Sequence, residues 1–96
     1  MGEERPCLDL YYAFLTDDGV KKYRSLQTGD HSLLLALKCS QKLYIPQSIF
    51  DIILQKDPSQ LVRGNNSGEM PLDYINNRIP KQVINDIVVN SMSSTR

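Results

Sequence analysis

The chain carries one histidine, His31, and two cysteines, Cys7 and Cys39, so nucleophilic or metal-assisted chemistry would have to be built around these three side chains. His31 has no cysteine or glutamate beside it at ligand spacing. On a helix, the eight positions separating His31 from Cys39 amount to about 12 Å of rise, too far for an imidazole to activate a thiol directly. Two cysteines can close at most one disulfide, unlike the dense frameworks of small secreted domains, so buried and reduced thiols are expected. Asp17 and Asp18 are adjacent and precede Val20-Lys21-Lys22, which reads as negative charge at the amide end of a helix. Gly64 and Gly68 bracket Asn65-Asn66-Ser67, but the Lys-Ser/Thr ending of a phosphate-cradling loop is missing. Gly and Asn suit a turn with left-handed residues there. The expectation is a protein that is not an enzyme and that holds no cofactor and no metal.

Composition narrows the remaining classes. With 96 residues, the chain makes one small domain spanning 1–96. Its apolar fraction of 41% and charged fraction of 23% are ordinary for a globular fold. Eleven basic residues balance eleven acidic ones, which removes the broad attraction that nucleic-acid binders use. The one basic cluster, Lys21, Lys22 and Arg24, is small, and nucleic acid is not expected as a partner. No apolar run approaches the ~20 residues of a membrane span, and MGEERPC is too charged for a secretion signal. The reading is a soluble, intracellular protein of the cytoplasm or nucleus, without membrane insertion.

The elements that must position any functional surface are short helices. Turn-forming residues recur at Asp17-Asp18-Gly19, Thr28-Gly29-Asp30, Asp57-Pro58 and Arg63–Gly68, and the segments between carry apolar residues at helical spacing. Expected helices cover Leu8–Leu15, Val20–Leu26, the SLLLALKCS run beginning at Ser32, IPQSIFDIILQ beginning at Ile45, MPLDYINN beginning at Met70, and IPKQVINDIVV beginning at Ile79. Ser32 or Asp30 would cap the third, with Lys38 and Lys42 at its negative end. Pro46, Pro71 and Pro80 suit first helical turns, where a missing N–H costs nothing.

Two of these segments are near copies. IPQSIFDIIL and IPKQVINDIV lie 34 positions apart, so that Val83, Ile84, Ile87 and Val88 repeat the places of Ile49, Phe50, Ile53 and Leu54. Upstream, Gly29-Asp30 and Leu33 return as Gly68-Glu69 and Leu72 at an offset of 39. The repeated unit is a turn, a helix, a loop of variable length and a second helix.

A unit of that length and order resembles the ankyrin repeat, with its T-P-L-H-x-A motif after a Gly-containing turn. Ser67-Gly68-Glu69-Met70-Pro71-Leu72-Asp73-Tyr74-Ile75 carries the Gly, Pro and Leu, with Met70, Asp73 and Ile75 in place of Thr, His and Ala. Thr28 to Ala36 keeps the Gly, Leu and Ala, with Ser32 in place of Pro. The resemblance implies an all-α fold of stacked antiparallel helical hairpins, an ankyrin-like α-solenoid. Its repeats would span 28–65 and 66–90, with a degenerate opening repeat at 6–27 and a polar tail at 91–96. It also implies a protein–protein interaction module that binds along loop tips and the exposed side of the first helices. The candidates by position are Asp30 and Glu69 beside the turns, Arg63, Asn65 and Asn66 at the loop tip, and Lys38, Asn76 and Asn77 on the first helices. His31 falls where a turn-stabilising side chain belongs. The expected role is a small scaffold or assembly subunit whose partner is another protein. The alternative is a regulatory subunit of an enzyme, or a small helical domain that covers its apolar ends by homo-oligomerisation. The apolar excess of Ile79, Val83, Ile84, Ile87, Val88 and Val89, and the tyrosines Tyr11, Tyr12 and Tyr23, favour docking at either end.

Overall fold

The structure, a computed structural model, describes residues 18–94, with side chains up to Met92. The helix expected over Leu8–Leu15, most of the opening repeat, and Cys7, Tyr11, Tyr12 and Asp17 lie outside the described residues. Within them the chain forms four α-helices: α1 Gly19–Lys22, α2 Ser32–Cys39, α3 Gln47–Lys56 and α4 Lys81–Ser94. Two 3₁₀ segments, Pro58–Val62 and Pro71–Tyr74, lie between α3 and α4. The described residues contain no strand.

Local chemistry explains where each helix begins. α2 starts at Ser32 because His31, extended at φ −82° and ψ 175°, accepts the Leu34 N–H on its imidazole. The cap is therefore His31 and not Ser32 or Asp30. Ser32 instead turns inward, its hydroxyl within hydrogen-bond distance of both the Val20 carbonyl and the Gln60 side chain. α3 and α4 begin at Gln47 and Lys81, reproducing the sequence offset of 34, and each follows a proline. Pro46 takes the capping position of α3, one residue earlier than a first-turn proline would sit. α4 also continues through the residues expected as a polar tail, as far as Ser94.

Two expected helices are cut short. Val20–Leu26 yields only α1, since Tyr23 leaves the helix at ψ 133°. Leu26 consequently stands fully exposed, and of the expected apolar set only Val20 is buried. MPLDYINN yields a single 3₁₀ turn, after which Ile75 is extended at ψ 132°. The Asn76 side chain then accepts the Arg78 N–H at 2.8 Å, a local turn bond that competes with helix. Asn76 and Asn77 therefore occupy a turn and not a first helix.

The hairpin of α2 and α3 is covered on one side by α1, and the Pro71–Tyr74 segment lies beside α2 while α4 packs on both 3₁₀ segments. The core is the apolar run of α2 together with Phe50 and Ile53 of α3, Val83 and Ile87 of α4, and Ile45 and Ile79 from the residues just before those two helices. Fully burying each such side chain contributes about 1.5–3 kcal/mol. Cys39 belongs to this core, but it is disulfide-bonded, which corrects the expected reduced thiol.

Candidate functional site

The loop between the two 3₁₀ segments is organised by Asn65. Its side-chain oxygen accepts the N–H groups of Ser67 and Glu69, both at 2.9 Å. The loop thus becomes a tight turn, and Gly68 in it takes φ +81°, which glycine adopts without a Cβ clash. The Asn65 amide nitrogen donates to Asp30 Oδ1 at 2.7 Å and to Glu69 Oε1 at 2.8 Å. A second link runs from the Asn66 N–H to the Thr28 carbonyl at 3.0 Å. Two turns 39 residues apart in sequence, each with a left-handed glycine, are thereby joined side by side.

Lys38 enters from the last turn of α2. Its ammonium lies 2.8 Å from Asp30 Oδ2, 3.3 Å from Glu69 Oε1 and 5.1 Å from the centroid of the Tyr74 ring. Tyr74 closes the cluster by donating its hydroxyl to Glu69 Oε2 at 2.6 Å. Four of the residues singled out by position, Asp30, Lys38, Asn65 and Glu69, therefore form one network. Tyr74 completes it, although sequence pattern alone had not marked it.

The protonation states follow from these contacts. Burial alone would push Asp30 up, but hydrogen bonds from Lys38, Asn65 and Thr28 outweigh it and hold the carboxyl below its ordinary value. The Tyr74 hydroxyl, followed by Asn65 and Lys38, brings Glu69 down to about 2. Burial opposes the charge on Lys38, yet its bond to Asp30 leaves the pKa raised. Tyr74 is raised in turn, because donating to Glu69 favours its neutral form. The cluster is thus two carboxylates bridged by one ammonium under an aromatic face.

The other candidates lie elsewhere. The Arg63 guanidinium pairs with Asp57 at 3.7 Å and with the Ser59 hydroxyl at 2.8 Å, while its carbonyl accepts from His31 Nε2 at 2.7 Å. Asn66 packs its side chain against Gly29. Asn76 shapes its own turn, and Asn77 is exposed beside it.

Next to the network is an open cleft of about 450 Å³. Tyr23, Lys38, Lys42, Cys39, Leu35 and Tyr74 contribute to its walls, with Ser25, Gln27, Thr28 and Asp30 at the side of the turn. That volume falls within the ~300–1,000 Å³ of small-ligand sites. Its lining joins aromatic and aliphatic surface to a few fixed polar groups.

No family model, curated protein or solved structure matches the chain. Function must accordingly be argued from the site itself. Among the described residues no group of three or more His, Cys, Asp or Glu side chains is placed to hold a metal. Nor is any helix among them long and apolar enough to cross a membrane. Both ring nitrogens of His31 are engaged, by Leu34 and Arg63.

Proposed function

We propose that the hairpins stack in the ankyrin manner and that the chain is a protein–protein interaction module, a small scaffold or assembly subunit without enzymatic activity. The observation that carries this reading is the position of the cleft. It opens where the turn at 25–30 meets Leu35, Lys38 and Cys39 of α2, and the resemblance assigns turns and first helices to partners. Tyr23 and Tyr74 offer apolar area with hydrogen-bonding tips, a residue type enriched in protein interfaces, and the stem of Lys38 adds apolar surface between them. Support for stacking comes from the matched starts of α3 and α4 and from the two left-handed glycines. Arg78 adds to it by donating to the Gln41 carbonyl at 3.1 Å, across the two helix-connecting loops.

Photo-crosslinking in cells tests the reading. A photoreactive residue at Gln41, on the cleft wall, should yield a discrete protein adduct, and one at Gln82, exposed on α4, should not. The same products from both positions, or none from Gln41, would refute it. A second reading, self-association, is favoured by the exposed side chains of Leu72, Val89 and Met92 towards the C-terminal end.

A further inference from the structure

Two arginines are fastened by the backbone to residues of the cleft. Arg24 Nη1 donates to the Tyr23 carbonyl at 2.6 Å and to the Lys21 carbonyl at 3.1 Å, and Arg78 Nη1 donates to the Gln41 carbonyl at 3.1 Å. Tyr23 and Gln41 both line the cleft, so each guanidinium is held at its edge. Both arginines are exposed, and neither meets a carboxylate among the described residues. Lys21 has no such partner there either, because Asp18 pairs with Lys22 at 3.6 Å. Inside the edge the charges are balanced, since Lys38 bridges Asp30 and Glu69. The site thus joins apolar and aromatic lining, from Leu35, Tyr23 and Tyr74, to cations at its border with no carboxylate of their own. We propose that the cleft takes an acidic segment of another protein, with an apolar or aromatic side chain entering it and the flanking carboxylates pairing with Arg24, Arg78 and Lys21. The proposal rests on the reading of the cleft as the binding surface and names the chemistry of its partner.

The donor count and the charge pattern select that occupant. A guanidinium carries five N–H donors in a planar fork, so one or two bonds to carbonyls leave others to offer, and the fork matches a carboxylate. Anchoring each arginine beforehand also lowers the ordering cost that a partner would otherwise meet. Nucleic acid is disfavoured by the balance of eleven basic and eleven acidic residues, which leaves no broad positive field. Asp30 on the cleft lining would also repel a ligand charged at every unit. A polypeptide can set an uncharged side chain against Asp30 and keep its carboxylates for the border. A flat lipid surface would leave the concave part of the site unfilled.

The test is fluorescence anisotropy of the full chain with a labelled synthetic peptide of glutamates around a central Phe-Leu pair. The peptide should bind, and salt should weaken the complex. Affinity should fall at least about five-fold in the double variant Arg24→Glu/Arg78→Glu. It should not fall in Lys56→Glu, an exposed position on α3 outside the cleft. Urea midpoints check that the variants stay folded. Replacing the Phe-Leu pair by Ala-Ala should weaken binding at least about ten-fold, and a lysine peptide should not bind. These two comparisons use the unaltered chain and decide the matter even where a variant unfolds. A photoreactive residue at Gln41 should capture the glutamate peptide, and one at Gln82 should not. Equal binding of the lysine peptide, or an equal loss in Lys56→Glu, would overturn the proposal. Tighter binding of oligothymidylate or of phosphatidylserine vesicles would overturn it too, by assigning the arginines to a nucleic acid or a lipid surface. No binding of the glutamate peptide, with the protein adduct from Gln41 in cells intact, would remove the acidic partner and leave the cleft as the binding surface. Capture of the peptide at Gln82 and not at Gln41 would remove both.

Discussion

His31 is held in a single tautomer by its two neighbours. Its Nε2–H donates to the Arg63 carbonyl and its Nδ1 accepts the Leu34 N–H, so a second proton would charge a buried ring and break the cap of α2 together. Burial lowers its pKa below 6.5, with Arg24 and Arg63 adding to the effect and the carbonyl bond and Asp30 opposing it. Below that pH the unfolded chain takes up a proton that the fold refuses, so stability falls on acidification by up to ~1.4 kcal/mol per pH unit. A second loss follows lower down, where the unfolded chain protonates Glu69 near 4.5 while the fold holds it ionised to about 2, and Asp30 acts in the same sense. Urea midpoints followed from about pH 8 to about pH 3 should fall in two steps, and His31→Asn should abolish only the upper one. A flat profile between pH 7 and pH 5 would contradict the buried, neutral ring. Gln60 is another fully buried polar side chain on which stability depends. Its oxygen accepts from Ser32 and the Leu33 N–H, while its nitrogen donates to the Val20 carbonyl and Asp57. Gln60→Ala orphans several of these groups and should cost about 2–4 kcal/mol in urea denaturation. The slot of His31 was legible in the sequence because it precedes an apolar helical run. Gln60 was not, because a glutamine in Pro-Ser-Gln-Leu looks like surface until the tertiary fold buries it.

Elements show the same division. α3 and α4 could be read from their repeated apolar stripes, since that spacing is what the core requires of them. The Pro71–Tyr74 turn could not be told from a full helix, because what ends it is an asparagine side chain bonding locally, which hydrophobic periodicity does not register. In the sequence Asp30, Lys38, Asn65 and Glu69 read as separate surface positions. Their mutual bonding depends on the turns at Gly29 and Gly68 being joined, a tertiary fact. Those two turns make different demands. At Gly29, φ is +74° and an added Cβ would stand 2.5 Å from Asn66 Cγ, whereas at Gly68 φ is +81° and nothing lies within 4 Å. Gly68→Ala should therefore cost only the backbone term of about 1–2 kcal/mol. Gly29→Ala should cost more, because it also forces apart the turns that hold the network. Equal losses for the two variants in urea denaturation would show that the turns are not coupled through Asn66. Lys38 links the same elements, but Glu69 is exposed, so a Lys38–Glu69 double-mutant cycle should return only a small coupling that weakens with salt.

At the scale of the molecule, the two candidate surfaces make opposite claims on the oligomeric state. The cleft lies beside α2, and a chain that works through it gains nothing from self-association. The C-terminal end presents Val89 and Met92 three residues apart on one side of α4, and Leu72 is 46% exposed although Leu33, which matches it in sequence at an offset of 39, is fully buried. Scattered apolar side chains of this kind are common on monomeric surfaces and do not by themselves drive association. Light scattering on the purified chain should accordingly give the monomer mass of 10.9 kDa across the micromolar range, unchanged by Val89→Lys. A mass of twice that value which Val89→Lys returns to the monomer would transfer the functional surface from the cleft to the C-terminal end, and the chain would then act as a subunit completed by its own copy.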